Sequence, residues 1–371
     1  MSIDNSACAA LIYGPEEHFI DHLAPLCELM QMPLIVTEEE IALLVDKYYP
    51  NVDVLLCDYL VVAQHLVQKF DLIFYSTPRD LFDEVFFFAQ KLLNKKLHTI
   101  WCPHGNSDKG HQIIFMEALQ KEEAALVYGQ KMIDFMKKKK VFEQLKAYVV
   151  IGNYRYTFFK QNKKLYEQIT AKAVLGKLAP AEKRILYAPT WQDCEKSSSF
   201  FEATPHLIEQ LPEKHNLIIK LHPNLQKQDP LKVEALLEKY RDHPSVLFLT
   251  NFPLIFPLLE IIDIYIGDMS SIGYDFLTFD RPMFFLNQNR RDPETDPGLY
   301  LFRCGVAIEP QDYSRIYRII EDFLQFETLD YSRKRKELYE YTFGKEKDWA
   351  QLRQEISKSF KIFKDEGLGF F

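Results

Sequence analysis

Short apolar runs alternate with longer stretches of helical periodicity along the whole chain. In the first half the runs predict strands at 9–13, 34–36, 54–56, 72–75, 98–102, 125–128 and 148–151. Each but the last leads into a turn or a helix-like segment, such as DLFDEVFFFAQKLLNKK at 80–96. RILYAP, NLIIKLHP, SVLFLT, IDIYIG and PMFFLN repeat the scheme in the second half. Runs that are apolar throughout, rather than alternating, suit strands buried on both faces. Their alternation with helices is the form of an α/β protein with parallel sheets, here two Rossmann-like halves. Between the halves, 154–183 is polar, shows no strand pattern and ends in Gly176 and Pro180, which predicts a linker region. The last segment, from Arg333 onward, reads as helix with a break near Gly344. The expected organisation is an N-terminal domain at 1–155, a second domain at 156–335, and a helical segment at 336–371 that packs back on them.

Composition narrows the classes. A chain of 371 residues exceeds one ordinary core and favours two domains. With 47% hydrophobic and 26% charged residues it can bury large interiors. A formal net charge of -8 argues against general nucleic-acid binding, which needs an electropositive face to displace counterions from phosphates. Cys8, Cys27, Cys57, Cys102, Cys194 and Cys304 are scattered without a C-x-x-C pair, so no zinc knuckle or redox dithiol is signalled and free thiols in a reducing cytoplasm are expected. MSIDNSACAALIYGPEEH lacks the basic start and apolar run of a signal peptide. Pro244 to Leu259 is uncharged but falls short of the roughly 20 residues of a spanning helix, and contains Pro253 and Pro257. Any membrane contact is therefore expected to be peripheral, at the inner face of the cytoplasmic membrane.

Neither half carries G-x-G-x-x-G or G-x-x-x-x-G-K-[ST]. Asp-x-Asp, with which one class of glycosyltransferase holds a divalent metal against a diphosphate, is also absent. A phosphate site without metal or other cofactor is the expectation. In open parallel sheets such sites form beyond the carboxyl ends of strands, and four strand ends carry chemistry. HTIWCPHGNSDKG ends a strand at Cys102 and places His104 and Gly105 in a tight loop, where an imidazole can take a proton from a hydroxyl or simply bond to backbone. NLIIKLHPNLQ puts Lys220 and His222 on one side of a strand stopped by Pro223, an arrangement that suits an anion, or a structural lysine paired with a nearby carboxylate. IIDIYIGDMSSIGYDF turns at Asp268 and starts a helix near Ser271. There Ser270 and Ser271 can serve a diphosphate, or one of them can be a helix N-cap. ILYAPTWQD offers Thr190 as a phosphate donor and Trp191 as a pocket wall or a core residue.

Three weaker signals complete the list. His18 and His22 lie one helical turn apart, a metal spacing without an evident third ligand, so a solvated helix start is the favoured reading. KMIDFMKKKKVFEQLK at 131–146 sets lysines beside apolar residues and can rest on an anionic membrane surface or form a solvated face. Cys102 stands near His104, yet nothing orients the two as a catalytic pair.

Taken in order, these four stretches resemble the CDP-glycerol glycerophosphotransferase family of teichoic-acid primases and polymerases. The matching residues are His104 and Gly105; Tyr187 to Trp191; Lys220 to Pro223; and Asp268 to Ser271 followed by GYDFLTFDRPMFFL. The resemblance implies a glycosyltransferase-B architecture, two Rossmann-like domains facing a central cleft, with the acceptor on the N-terminal domain and the nucleotide donor on the C-terminal one. It implies His104 as the base toward an acceptor hydroxyl and His222 as the group stabilising donor phosphates. Ser270 and Ser271, with Lys220, Thr190 and Trp191, would hold the donor, and Asp268 would shape the turn. The implied reaction moves a polyol phosphate from a CDP-activated donor to a lipid-linked or glycan acceptor. Where the family carries Gly-x-Pro-Arg-x-Asp, this chain has GNYRYT at 152–157; Gln192 and Met269 replace a common arginine and tyrosine. These changes bear on the donor, so CDP-ribitol or a nucleotide sugar fits as well. A sugar transferase or epimerase, and a nucleotide-binding protein without turnover, are the alternatives.

Overall fold

In a computed structural model the apolar runs become two wholly parallel sheets. The structure describes residues 8–77, 95, 97–111, 116–192, 195–326 and 329–360, with isolated positions at 83, 87 and 91. The helix expected at 80–96 falls largely outside the described residues. Contacts divide the chain into two units, one of Met1–His104, Ile114–Lys160 and Tyr341–Phe371, the other of Gly105–Ile113 and Gln161–Glu340. Both are α/β, with helices interleaved between parallel strands.

In the first unit the strands are β1 (Cys8–Ile12), β2 (Leu34–Val36), β3 (Val54–Leu56), β4 (Leu72–Tyr75), β5 (His98–Trp101), β6 (Ala124–Val127) and β7 (Ala147–Val150). They lie in the order β3-β2-β1-β4-β5-β6-β7. The winding direction reverses between β1 and β4, the switch point at which α/β sheets open a crevice. β1, β4, β5 and β6 are buried along their whole length, as unalternating sequences require.

The second unit contains β8 (Lys183–Ala188), β9 (His215–Lys220), β10 (Val246–Leu249), β11 (Ile264–Gly267), β12 (Met283–Leu286) and β13 (Val306–Ile308), in the order β10-β9-β8-β11-β12-β13. Its core joins Ile185, Tyr187, Phe200, Leu217, Ile219, Ile266 and Phe284. Each such side chain is worth about 1.5–3 kcal/mol when fully buried, so the strand ends rest on a firm base. Gly267 pairs with Ala188, and Tyr187 with Ile219. Three neighbouring strands, β9, β8 and β11, therefore leave the sheet at nearly one level, and the switch point falls between β8 and β11.

Several details differ from the sequence reading. β13 was not anticipated, being three residues at a sheet edge. The expected linker at 154–183 is mostly helix, Tyr154–Gln161 and Lys163–Ala173. The helix after Ser271 is only Ile272–Phe276 before a 3-10 turn at Leu277–Phe279. Within 131–146 the helix Gln130–Lys138 buries Met132, Ile133 and Met136 in its own unit, leaving Lys137, Lys138 and Lys140 exposed. The apolar half of a membrane-lying helix is thus already used. The C-terminal helices run Leu329–Phe343 and Trp349–Ser359, with Gly344 between them at φ +68°, the left-handed conformation that glycine adopts without strain.

Candidate functional site

The second unit gathers the chemistry of three strand ends. After β11 the Asp268 carboxylate, with no exposed surface, accepts from the Thr190 N–H at 2.7 Å, the Ser199 N–H at 3.0 Å and the Ser199 hydroxyl at 2.8 Å. It thus ties the loop after β8, and the start of the helix Phe200–Glu209, to the Asp268–Ser271 turn. The Tyr187 hydroxyl meets the Ser199 hydroxyl at 2.8 Å and extends the network into the core. Burial raises the Asp268 pKa to about 6, while the Ser199 and Thr190 hydrogen bonds and the Lys109 charge pull it back. At neutral pH it is a carboxylate. Its oxygens face inward to the loops, so it builds the turn and does not itself meet a phosphate.

Ser270 is buried and Ser271 partly exposed. Ser271 occupies the N-cap position of Ile272–Phe276, yet its side chain makes no capping bond. The ordinary explanation for a serine there does not apply. A five-residue helix adds little dipole, so hydroxyls and nearby cations carry any anion affinity. His222 caps the helix Pro223–Gln228: its Nδ1 accepts from the Asn224 N–H at 3.2 Å, and Pro223 fills the first helical position, where no N–H is needed. Nδ1 being an acceptor, the neutral ring carries its proton on Nε2, which makes His222 a hydrogen-bond donor. Lys220, at the end of β9, is buried. Trp191 lies with its ring 6.1 Å from that of His222 and also packs on the core of the second unit.

In the first unit His104 follows β5. The Cys102 N–H donates to the Tyr75 carbonyl at 2.7 Å, prolonging the β4–β5 pairing. The Tyr128 hydroxyl then donates to the Pro103 carbonyl at 3.1 Å. Since that hydroxyl has one proton, His22 Nδ1, 2.9 Å from it, is the donor to its oxygen. The His104 ring bonds the Ser76 carbonyl and lies edge-on to Phe19 at 5.1 Å and to His18 at 6.0 Å. Although the ring keeps exposed surface, dense surroundings lower its pKa, His18 lowers it further, and the Ser76 bond opposes them. A neutral imidazole that donates one N–H to a carbonyl offers its other nitrogen as a base. Cys102, by contrast, is wholly buried, donates to the Ile100 carbonyl, and has its thiol pushed well above the usual range by burial, so it is inert.

A profile of the CDP-Glycerol:Poly(glycerophosphate) glycerophosphotransferase family matches residues 105–304, more than half of the chain. The chain belongs to that family. The matched range includes Thr190, Trp191, Lys220, His222 and Asp268 to Ser271, and begins one residue after His104. Two curated relatives share local identity. The teichoic acid glycerol-phosphate primase of Bacillus subtilis (strain 168) is 35% identical over 105 residues, 28% of this chain and 25% of the relative. That of Bacillus spizizenii is 28% identical over 158 residues, 39% of each chain. This chain thus spans well under half the length of either. The wall teichoic acid polymerase TagF has a similar fold, with a TM-score of 0.67 at 16% identity over 98% of this chain and 90% of that one. Anabaena HepE, solved with UDP and glucose, gives 0.55 at 12% identity over 96% and 99%. These likenesses support the glycosyltransferase-B fold.

Among family positions, the structure brings Thr190, Trp191, His222, Asp268, Ser270 and Ser271 to adjacent strand ends. Gly105, with φ +124°, sits against Ser271, where a Cβ would lie 2.9 Å from the serine Cβ. Arg155, retained from the junction motif, is not available to a ligand. It pairs with Asp21 at 2.7 Å in the interior of the first unit, where Tyr49 also donates to Asp21. Removing one partner of such a pair costs about 3–5 kcal/mol, which explains the arginine structurally. Sequence reading missed three residues. His18 was read with His22 as a metal spacing or a solvated helix start, yet the first stands by His104 while the second is buried on Tyr128. Arg291, whose Nη1 lies 3.3 Å from Met269 Sδ, is held by Asp296 and Glu195. Lys109, five residues after His104, was legible in the same quoted stretch but carried no motif.

Proposed function

We propose that this chain transfers glycerol phosphate, or a similar polyol phosphate, from a CDP-activated donor to a hydroxyl of a lipid-linked or glycan acceptor, releasing CMP. The observation that carries the reading is the convergence of hydroxyl and N–H donors at the β9, β8 and β11 strand ends, within the family-matched part of the chain. Thr190, Ser270, Ser271 and Lys220 would hold the diphosphate, His222 would donate from Nε2 to its oxygens, and Trp191 would flank the nucleotide. The acceptor oxygen attacks the glycerol-bearing phosphorus as its proton passes to the free ring nitrogen of His104. A new P–O bond forms, the bridging P–O bond breaks, and CMP leaves with the electron pair. Positioning and charge stabilisation supply most of the rate in such transfers. Contact with anionic lipid headgroups would rest on exposed lysines such as Lys137, Lys138 and Lys140 and would weaken with salt.

Calorimetric titration with CDP-glycerol, CDP-ribitol and UDP-N-acetylglucosamine, followed by an assay of CMP release with a polyol-phosphate-primed lipid acceptor, tests this. Selective cytidine-ligand binding with acceptor-dependent CMP release is expected. Preference for the uridine ligand would replace the reading with a sugar transferase or epimerase, and binding without release would leave a nucleotide-binding protein.

A further inference from the structure

The segment Gly105–Ile113 belongs by its contacts to the second unit, although it follows a strand of the first. Its described residues engage the strand-end loops at several points. Gly105 lies against Ser271 so closely that no side chain fits, and its positive φ disfavours one independently. The Asp108 carboxylate, buried, accepts from the Tyr274 hydroxyl and, at 2.9 Å, from the Leu301 N–H. The Gly110 N–H donates to Glu195 at 3.0 Å. Between these anchors the Lys109 ammonium donates to the Thr190 hydroxyl and lies 5.7 Å from the centre of the Trp191 ring.

Lys109 is buried, so this is a placed cation and not a solvated one. Thr190, its partner, is the residue whose own N–H is pinned by Asp268. Asp268 in turn is two residues from Ser270. One cluster at the β8–β11 switch point thus holds an ammonium, the Thr190 hydroxyl and the two serines of the turn. Both Asp268 oxygens accept from Thr190 and Ser199, so this carboxylate is occupied within the cluster. An array of fixed donors around a positive charge at a switch point is complementary to a diphosphate.

We propose that Lys109 is the cation that meets the diphosphate of the donor, so that the loop following His104 is part of the nucleotide-donor site. This deepens the function proposed above and rests on it for the identity of the nucleotide, while the anion specificity stands on the loop cluster itself. The two are separated by the choice of probes, CDP and inorganic pyrophosphate, titrated into the full chain and into Lys109→Met and Lys109→Arg, with cytidine as the uncharged control. Lys109→Met is expected to weaken CDP and pyrophosphate by about ten-fold or more, as loss of a charge-assisted hydrogen bond predicts, and to leave cytidine unchanged. Lys109→Arg should restore most of the loss.

Wild-type binding of pyrophosphate but not of CDP, with the same loss in Lys109→Met, would overturn the donor reading and keep the anion site. Wild-type affinity for both probes in Lys109→Met, alongside a lowered melting temperature, would overturn the inference and reduce Lys109 to a structural counter-charge of Asp268. Should Lys109→Met fail to fold, Lys109→Gln measured with Lys109→Arg gives the same comparison, and equal pyrophosphate affinity in those two would refute the role.

Discussion

At the scale of single residues, the side chains that matter are defined by which atom carries a proton. His104 bonds the Ser76 carbonyl with one ring nitrogen, and its lowered pKa keeps the ring neutral. His222 accepts at Nδ1, which leaves its ring proton on Nε2. The two histidines thus have opposite aptitudes, base and donor, although both are simply strand-end histidines in the sequence. His104→Ala is expected to lower kcat by about 10²- to 10⁴-fold, the usual contribution of a general base, with CDP-glycerol affinity unchanged. A variant with wild-type turnover in the CMP-release assay would exclude the role. Because protonation of His104 is disfavoured, the acid limb of the wild-type rate profile should lie below the ordinary 6.5.

At the scale of elements, the register of β11 with β8 is what converts Asp268 from an isolated carboxylate into a clamp. Gly267 pairs with Ala188, so the next residues on both strands emerge side by side and the carboxylate reaches the Thr190 N–H. Asp268→Ala would leave two buried backbone N–H groups and a hydroxyl without their acceptor. A loss of about 3 kcal/mol or more follows from the desolvation cost of such groups, read as a lower urea midpoint, and the Lys109 to Thr190 geometry should loosen with it. An unchanged midpoint would show that the three bonds contribute nothing net. Strand existence was easy to read because continuous apolar runs suit doubly covered sheets. β13 escaped because Val306–Ile308 is short and only its last residue is buried. The brevity of the helix after Ser271 was equally hidden, since GYDFLTF is apolar whether it forms an α-helix or a 3-10 turn.

At the scale of the folded units, burial couples stability to pH. His22 is held well below its ordinary 6.5, first by burial and then by the nearby Arg155, His104 and His18. The unfolded chain therefore binds a proton below 6.5 that the folded chain refuses. The contribution of a neutral His22 is fully present above 6.5 and is lost as pH falls below it. Urea midpoints should drop between pH 6.5 and about 5, and drop less in His22→Asn, whose amide can still donate to Tyr128. Parallel curves for the two proteins would assign the acid sensitivity elsewhere.

Sequence alone determined the class of the fold, nearly every strand, and the positions of the four motif-bearing strand ends, because apolar runs and the motifs that stop them are local properties. It also determined the family resemblance, since four spaced motifs survive in order. Only the tertiary structure decided which motif residues are construction and which face outward. Asp268 and Arg155 prove to be inner ties, Ser271 is not consumed as a cap, and the apolar half of 131–146 is spent on a core. The placement of Lys109 beside Thr190 likewise depends on a loop of N-terminal sequence joining the second unit. No local pattern encodes such pairings, because they arise from strand order and register, which bring together positions 81 residues apart for Lys109 and Thr190 and 78 apart for Thr190 and Asp268.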